Sequence, residues 1–109
     1  MSNAFQEAWI SVAAVGDVIE EKPTVAKVDE AEIAIFKIDG EYFAISNVCT
    51  HVWAPLSRGR RDGFVIACPL HWGLFDIRDG SCQGGPVDVD LASYDVRVVD
   101  ERIEVRLRN

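Results

Sequence analysis

Residues 31–46 read AEIAIFKI-DG-EYFAIS: two runs rich in Ile, Phe and Tyr, Ala31–Ile38 and Glu41–Ser46, on either side of Asp39-Gly40. Asp-Gly accepts the positive φ angles of a tight turn whose twist matches paired strands, so this stretch predicts a β-hairpin. The same punctuation recurs on both sides of it. Asp62-Gly63 precedes the apolar run Phe64–Cys68, and Asp79-Gly80 follows Leu74–Ile77. Further on, Ser93–Val99 and Arg102–Leu107 form a second predicted pair. Tyr94, Val96 and Val98 are separated by Asp95 and Arg97, and Ile103, Val105 and Leu107 alternate with charged residues. That is the period of half-buried antiparallel strands. Toward the N-terminus, Trp9–Val12 and Thr24–Val28 predict strands and Val15–Glu20 a turn or short helix. No long stretch has helical periodicity, so the chain reads as all-β.

The 109 residues, 49% of them hydrophobic, suit one domain over 1–109 with a small core. The formal charge of −7 opposes binding to nucleic-acid phosphates, and it favours solubility and steering toward basic protein surfaces. The apolar run from Ala8 to Gly16 is broken by Ser11 and is far short of the roughly 18–20 residues that cross a bilayer. No basic segment precedes it as in a signal peptide. The expectation is a cytoplasmic protein with no membrane span.

The stretch from about 47 to 87 differs in character. It holds most of the glycines and prolines, all three cysteines and both histidines, and it reads as a loop-rich subdomain inserted into a β base. Each histidine follows a cysteine closely, in Cys49-Thr50-His51 and Cys68-Pro69-Leu70-His71, with sixteen residues between the two segments. An odd cysteine count without a secretory signal argues against a disulfide framework. Two chemistries use two Cys and two His. One is a structural zinc site, which rarely uses the Cys-x-His spacing. The other is a 2Fe–2S cluster of Rieske type, in which one iron takes two thiolates and the other two imidazoles, so that each Cys-His segment gives one ligand to each iron.

The two segments resemble the ligand boxes of the Rieske family. The hairpin before the first box, Phe75-Asp76-Ile77 and Asp79-Gly80 after the second, Gly84-Gly85-Pro86, and the ending Tyr94–Leu107 fit the same pattern. The resemblance implies an antiparallel Rieske-type β-sandwich base with an inserted loop-rich cluster-binding subdomain. It also implies one 2Fe–2S cluster held by Cys49, His51, Cys68 and His71, with the histidines toward solvent and the loop at Gly84–Pro86 covering a third side.

Quinol-oxidising members of the family carry a disulfide between their boxes and hydroxyl groups beside the cluster. The matching positions here are Ala54 and Leu70, and Gly73 and Phe75. Without those hydrogen bonds the potential should lie near the low end of the Rieske range, roughly −150 mV. The pattern is similar to the ferredoxin components of bacterial aromatic-ring-hydroxylating dioxygenase systems. That resemblance implies a soluble carrier, not an enzyme, which takes single electrons from an NAD(P)H-dependent flavoprotein reductase and passes them to a terminal Rieske oxygenase. A small Rieske subunit of another reductase, such as an assimilatory nitrite reductase, is the alternative. Such ferredoxins usually have small residues after the first histidine, whereas this chain has Val52-Trp53-Ala54-Pro55, and Trp72 follows the second. Trp53 and Trp72 read either as a docking rim or as loop packing. Arg58, Arg60 and Arg61 read as a solvated loop more than a docking patch, and Cys82 as a core or loop residue, not a ligand.

Overall fold

The computed structural model describes residues 9–48, 55–69, 73–84 and 89–108. Ten strands and two single-turn 3₁₀ helices follow in the order β1 (Ile10–Ala14), a turn at Val15–Asp17, β2 (Thr24–Val28), β3 (Ala31–Ile38), β4 (Glu41–Ser46), a turn at Leu56–Arg58, β5 (Arg60–Asp62), β6 (Val65–Ala67), β7 (Leu74–Asp76), β8 (Cys82–Gly84), β9 (Ser93–Val99) and β10 (Arg102–Leu107).

The predicted hairpin forms at its expected bounds. Asp39 and Gly40 have φ of 53° and 81°, and the strands pair from Ile38 with Glu41 to Ile33 with Ser46. The Glu20 carboxylate accepts from the backbone N–H groups of Asp39 and Gly40, both at 3.1 Å, and so caps the turn. The first strand begins at Ile10 and not at Trp9. The run Phe64–Cys68 supplies only the short strand β6, because Asp62 pairs with Val65 and the turn between them is Gly63-Phe64.

Six strands form an antiparallel sheet in the order β1-β10-β9-β4-β3-β2. Its central seam is short: β4 meets β9 only at Ala44 with Tyr94 and Ile45 with Ser93. The edge strands β1 and β2 approach within 8 Å between Cα atoms. The sheet therefore folds about that seam into two leaves of three strands, the sandwich base. Between them lie Ile33, Ile35, Ala44, Tyr94, Ile103 and Val105, all buried.

A second antiparallel sheet, β5-β6-β7-β8, is inserted between β4 and β9. Ile66, Cys68, Phe75 and Ile77 pack with Leu56 and Leu91 against Ala34, Phe36, Ile38 and Ile45 on the other face of β3 and β4. Strand β3 is thus buried on both faces, Ile33 and Ile35 toward the base core and Ala34 and Phe36 toward the insert. A nearly continuous apolar strand is the signature of such a central position.

Candidate metal centre

Strand directions place the loops of the inserted sheet. β5 starts, β6 ends, β7 starts and β8 ends at the same edge, since Arg60 pairs with Ala67, Ala67 with Leu74, and Leu74 with Gly84. Three connections leave that edge: the one entering β5, the one joining β6 to β7, and the one leaving β8. They contain the first Cys-His segment, the second, and Gly85-Pro86 respectively. Cys49, His51 and His71 lie outside the described residues, as do Trp53, Ala54, Leu70, Trp72 and Pro86. Among the described residues no three His, Cys, Asp or Glu side chains come together as a metal site. Cys68 is the one proposed ligand whose surroundings are described.

Each Cys-His connection springs from a closed stem. Val48 and Pro55 form an antiparallel bridge, and the Leu56 N–H donates to the Asn47 carbonyl at 2.7 Å. For the second segment, the Cys68 N–H donates to the Gly73 carbonyl at 2.8 Å, one step beyond the pairing of Ala67 with Leu74. Cys68 is fully buried in the same apolar cluster as Leu56, Ile66 and Phe75. The two stems are held close together at Gly59: a Cβ there would run into the carbonyl of Ala67, the residue before Cys68. At the third connection, the Cys82 N–H donates to Asp90 Oδ1 at 2.9 Å and the Leu91 N–H to the Gly80 carbonyl at 2.7 Å.

The other residues singled out in the sequence divide clearly. Cys82 is partly buried against the insert core opposite Phe75, a packing position. Gly73 contributes its carbonyl to the stem, and the fully buried Phe75 ring brings no hydroxyl into the cluster of side chains around Cys68. Arg60 and Arg61 lie on an edge strand, not a loop. The Arg61 guanidinium donates to the Gly63 carbonyl at 2.8 Å and to the Glu20 carbonyl at 3.4 Å, tying the insert to the base. Arg60 and Asp62 line an open depression of about 440 Å³ with Val65, Ala67 and Leu74, on the face of the small sheet away from its core.

Sequence reasoning missed Asn47. It is 2% exposed, and its side chain bonds to Ser57 on one side of the first segment and to Glu32 on β3. A polar residue directly after the apolar strand β4 and two before Cys49 is the signal that was available. It also missed Arg78, whose guanidinium lies 4.5 Å over the Phe64 ring and whose donors hold the Asp76 carboxyl below its usual range.

The donor set fits a 2Fe–2S cluster as far as it is described: a buried thiol at the foot of one loop, and a second Cys-His loop closed beside it. Comparison with known proteins agrees. A model of the Rieske [2Fe-2S] domain matches residues 8–95. The ferredoxin subunit of anthranilate 1,2-dioxygenase from Burkholderia cepacia is 34% identical over 98% of this chain and 99% of its own length. The ferredoxin of carbazole 1,9a-dioxygenase from Nocardioides aromaticivorans IC177 superposes with a TM-score of 0.86 at 32% identity, over 94% of this chain and all of that one. A chain in the structure of a complex of reduced oxygenase and oxidised ferredoxin in carbazole 1,9a-dioxygenase matches with a TM-score of 0.84 at 30% identity, over 93% of this chain and 96% of that one. The paired Cys-His loops at one edge of an inserted sheet are thus those of a protein that belongs to the Rieske [2Fe-2S] domain family, whose cofactor is one 2Fe–2S cluster.

Proposed function

We propose that residues 1–109 form a single Rieske domain that carries electrons one at a time in the cytoplasm, with Cys49, His51, Cys68 and His71 holding the cluster. The observation that supports this most is the placement of both Cys-His stems at one edge of the inserted sheet, pinned together where Gly59 meets Ala67. When bound, the cluster supplies a site that takes up and gives back one electron. Of the chain's own residues, Cys68 is anchored through its backbone, and Leu56, Ile66 and Phe75 pack beside it to exclude water. Among the described residues no helix is long and apolar enough to cross a membrane.

The donor is an NAD(P)H-dependent flavoprotein reductase and the acceptor a terminal ring-hydroxylating Rieske oxygenase. The names of the similar ferredoxins, and a complex of one with its oxygenase, support the acceptor, and the donor follows from the role of a ferredoxin component. The test combines composition with turnover. Protein prepared without air should contain about two irons and two sulfides per chain, give the EPR signal of a mixed Cys/His cluster on reduction, and restore turnover to a reductase–oxygenase pair. Stoichiometric zinc without sulfide would overturn the reading. The midpoint should be low, and Phe75→Tyr should raise it if the added hydroxyl reaches the Cys68 sulfur. A strongly positive wild-type midpoint would place the chain with the quinol-oxidising members.

A further inference from the structure

Asn47 stands where the base ends and the first Cys-His segment begins. Its backbone N–H extends the β3–β4 ladder by donating to the Glu32 carbonyl at 2.9 Å, and its carbonyl accepts from the Leu56 N–H at 2.7 Å. The side chain repeats this division. Oδ1 accepts from the Ser57 N–H at 2.8 Å, and Nδ2 donates to Glu32 Oε1 at 3.2 Å. One residue with 2% exposure therefore bonds to both far-side residues of the loop, Leu56 and Ser57, and twice to the central strand β3. An amide is the side chain that offers a donor and an acceptor at this reach without charge. Each of these groups, buried without a partner, would cost a desolvation penalty.

We infer that Asn47 is a positioning residue for the cluster: its amide fixes the stem of the segment that carries Cys49 and His51. This rests on the reading of those two residues as ligands. Asn47 acts through the stem it ties to Leu56, Ser57 and Glu32. Fixing a loop before its ligands engage removes the entropy cost of closure from the binding step, so the consequence is slower loss of the cluster.

The test uses the cluster-loaded chain and three variants: Asn47→Asp, Glu32→Gln, and the two combined. Asn47→Asp keeps the acceptor for Ser57 but faces Glu32 with a second carboxylate. Glu32→Gln alone keeps an acceptor for the Asn47 amide. The combination restores a hydrogen bond with donor and acceptor exchanged. Bleaching of the visible absorption with an iron chelator present, and the EPR line shape of the reduced protein, are the readouts. Asn47→Asp is expected to bleach about tenfold faster, the equivalent of about 1.4 kcal/mol, and to broaden the EPR signal. Glu32→Gln alone should bleach close to the wild-type rate, and the combination should regain most of what Asn47→Asp lost.

Bleaching of Asn47→Asp at the wild-type rate would overturn the inference. So would faster bleaching with an unchanged EPR signal and no rescue, which would reduce Asn47 to general packing. Cys49→Ser, measured alongside, keeps the two readings separate. If it stays coloured like wild type, the ligand assignment itself fails. If it is colourless while Asn47→Asp bleaches normally, only the positioning role fails.

Discussion

The base and the inserted sheet bury equally apolar cores on very different backbones. In the base, β3 and β9 run for eight and seven residues and the core lies between two leaves of one sheet. In the insert, each of the four strands has three residues, and the bonds that tie its connections and its contact with the base include Cys68 to Gly73, Leu91 to Gly80 and Arg61 to Glu20. Short strands with few ladder bonds open at low free energy, whereas long ladders over a two-sided core open only with the whole fold. The base encloses its own core between its two leaves. The insert leans on that scaffold and on what it binds, since a cofactor held only by the folded state stabilises that state.

The largest expected effect breaks the two regions apart. Cys68→Ala, or any change to Cys49, His51 or His71, should abolish the visible absorption, while Cys82→Ser should leave it intact. In the colourless protein, hydrogen exchange should speed at the amides of Cys68, Gly80 and Leu91 and stay slow at Ile35 and Phe36. Uniform acceleration across both sheets would mean that the base also depends on the cluster. Next in size is a pair of core truncations. Ile35 and Ile66 are both fully buried, one in each core. Ile35→Ala should lower global stability by about 2–5 kcal/mol, read from denaturant midpoints. Ile66→Ala should show first as faster cluster loss, below the denaturant concentration at which the base unfolds. Coincident loss of cluster and base signals in both variants would make the molecule one cooperative unit.

Legibility in the sequence followed the same division. Strands β3, β4, β9 and β10 were readable to the residue because each carries an alternating or apolar run long enough to show its period. The insert's strands were not, since three residues carry no period. Its ligand boxes were nonetheless the plainest motif in the chain, as their chemistry fixes residue identity and spacing together. Glu20 and Arg61 were not readable, because their partners lie far along the chain, 19 and 20 residues for Glu20 and 41 for Arg61, whereas Asn47 showed its place after β4 but not its partners Glu32 and Ser57. The β9–β10 turn was placed without its usual signal. Asp100 and Glu101 both have positive φ, 50° and 63°, with no glycine present. Left-handed geometry costs a residue with a Cβ roughly 1–2 kcal/mol. Glu101→Gly should therefore stabilise the base by about 1 kcal/mol, with the gain offset in part by a freer unfolded chain. A fall in the thermal midpoint would show that the Glu101 side chain contributes more than its backbone costs.

The smallest expected effect concerns acid, and it compares one carboxylate from each region. Asp76, in the insert, is held below its usual value of 3.8 chiefly by its side-chain bonds to Arg78, from Nη2 at 2.8 Å and Nε at 3.1 Å, with partial burial opposing them. Asp95, in the base, is lowered chiefly by its bond to Arg108 and further by Arg106, at 2.9 and 3.2 Å. A carboxyl whose folded pKa lies below its unfolded one contributes stability that is complete above 3.8 and is lost as pH falls through the lower folded value. Neither pair should therefore give a slope near neutrality, and both should weaken the protein on acidification below about pH 4. The Asp76 side chain is 13% exposed against 34% for Asp95, so water and salt screen the base pair more. Urea midpoints at about pH 6 and pH 3 should then drop less for Asp76→Asn than for wild type, with Asp95→Asn between them. Added salt should erase the Asp95 difference before the Asp76 one. Equal drops in wild type and Asp76→Asn would remove this pair from the ties that hold the insert. A larger effect at Asp95 would mean that acid acts on the scaffold before it acts on the loops.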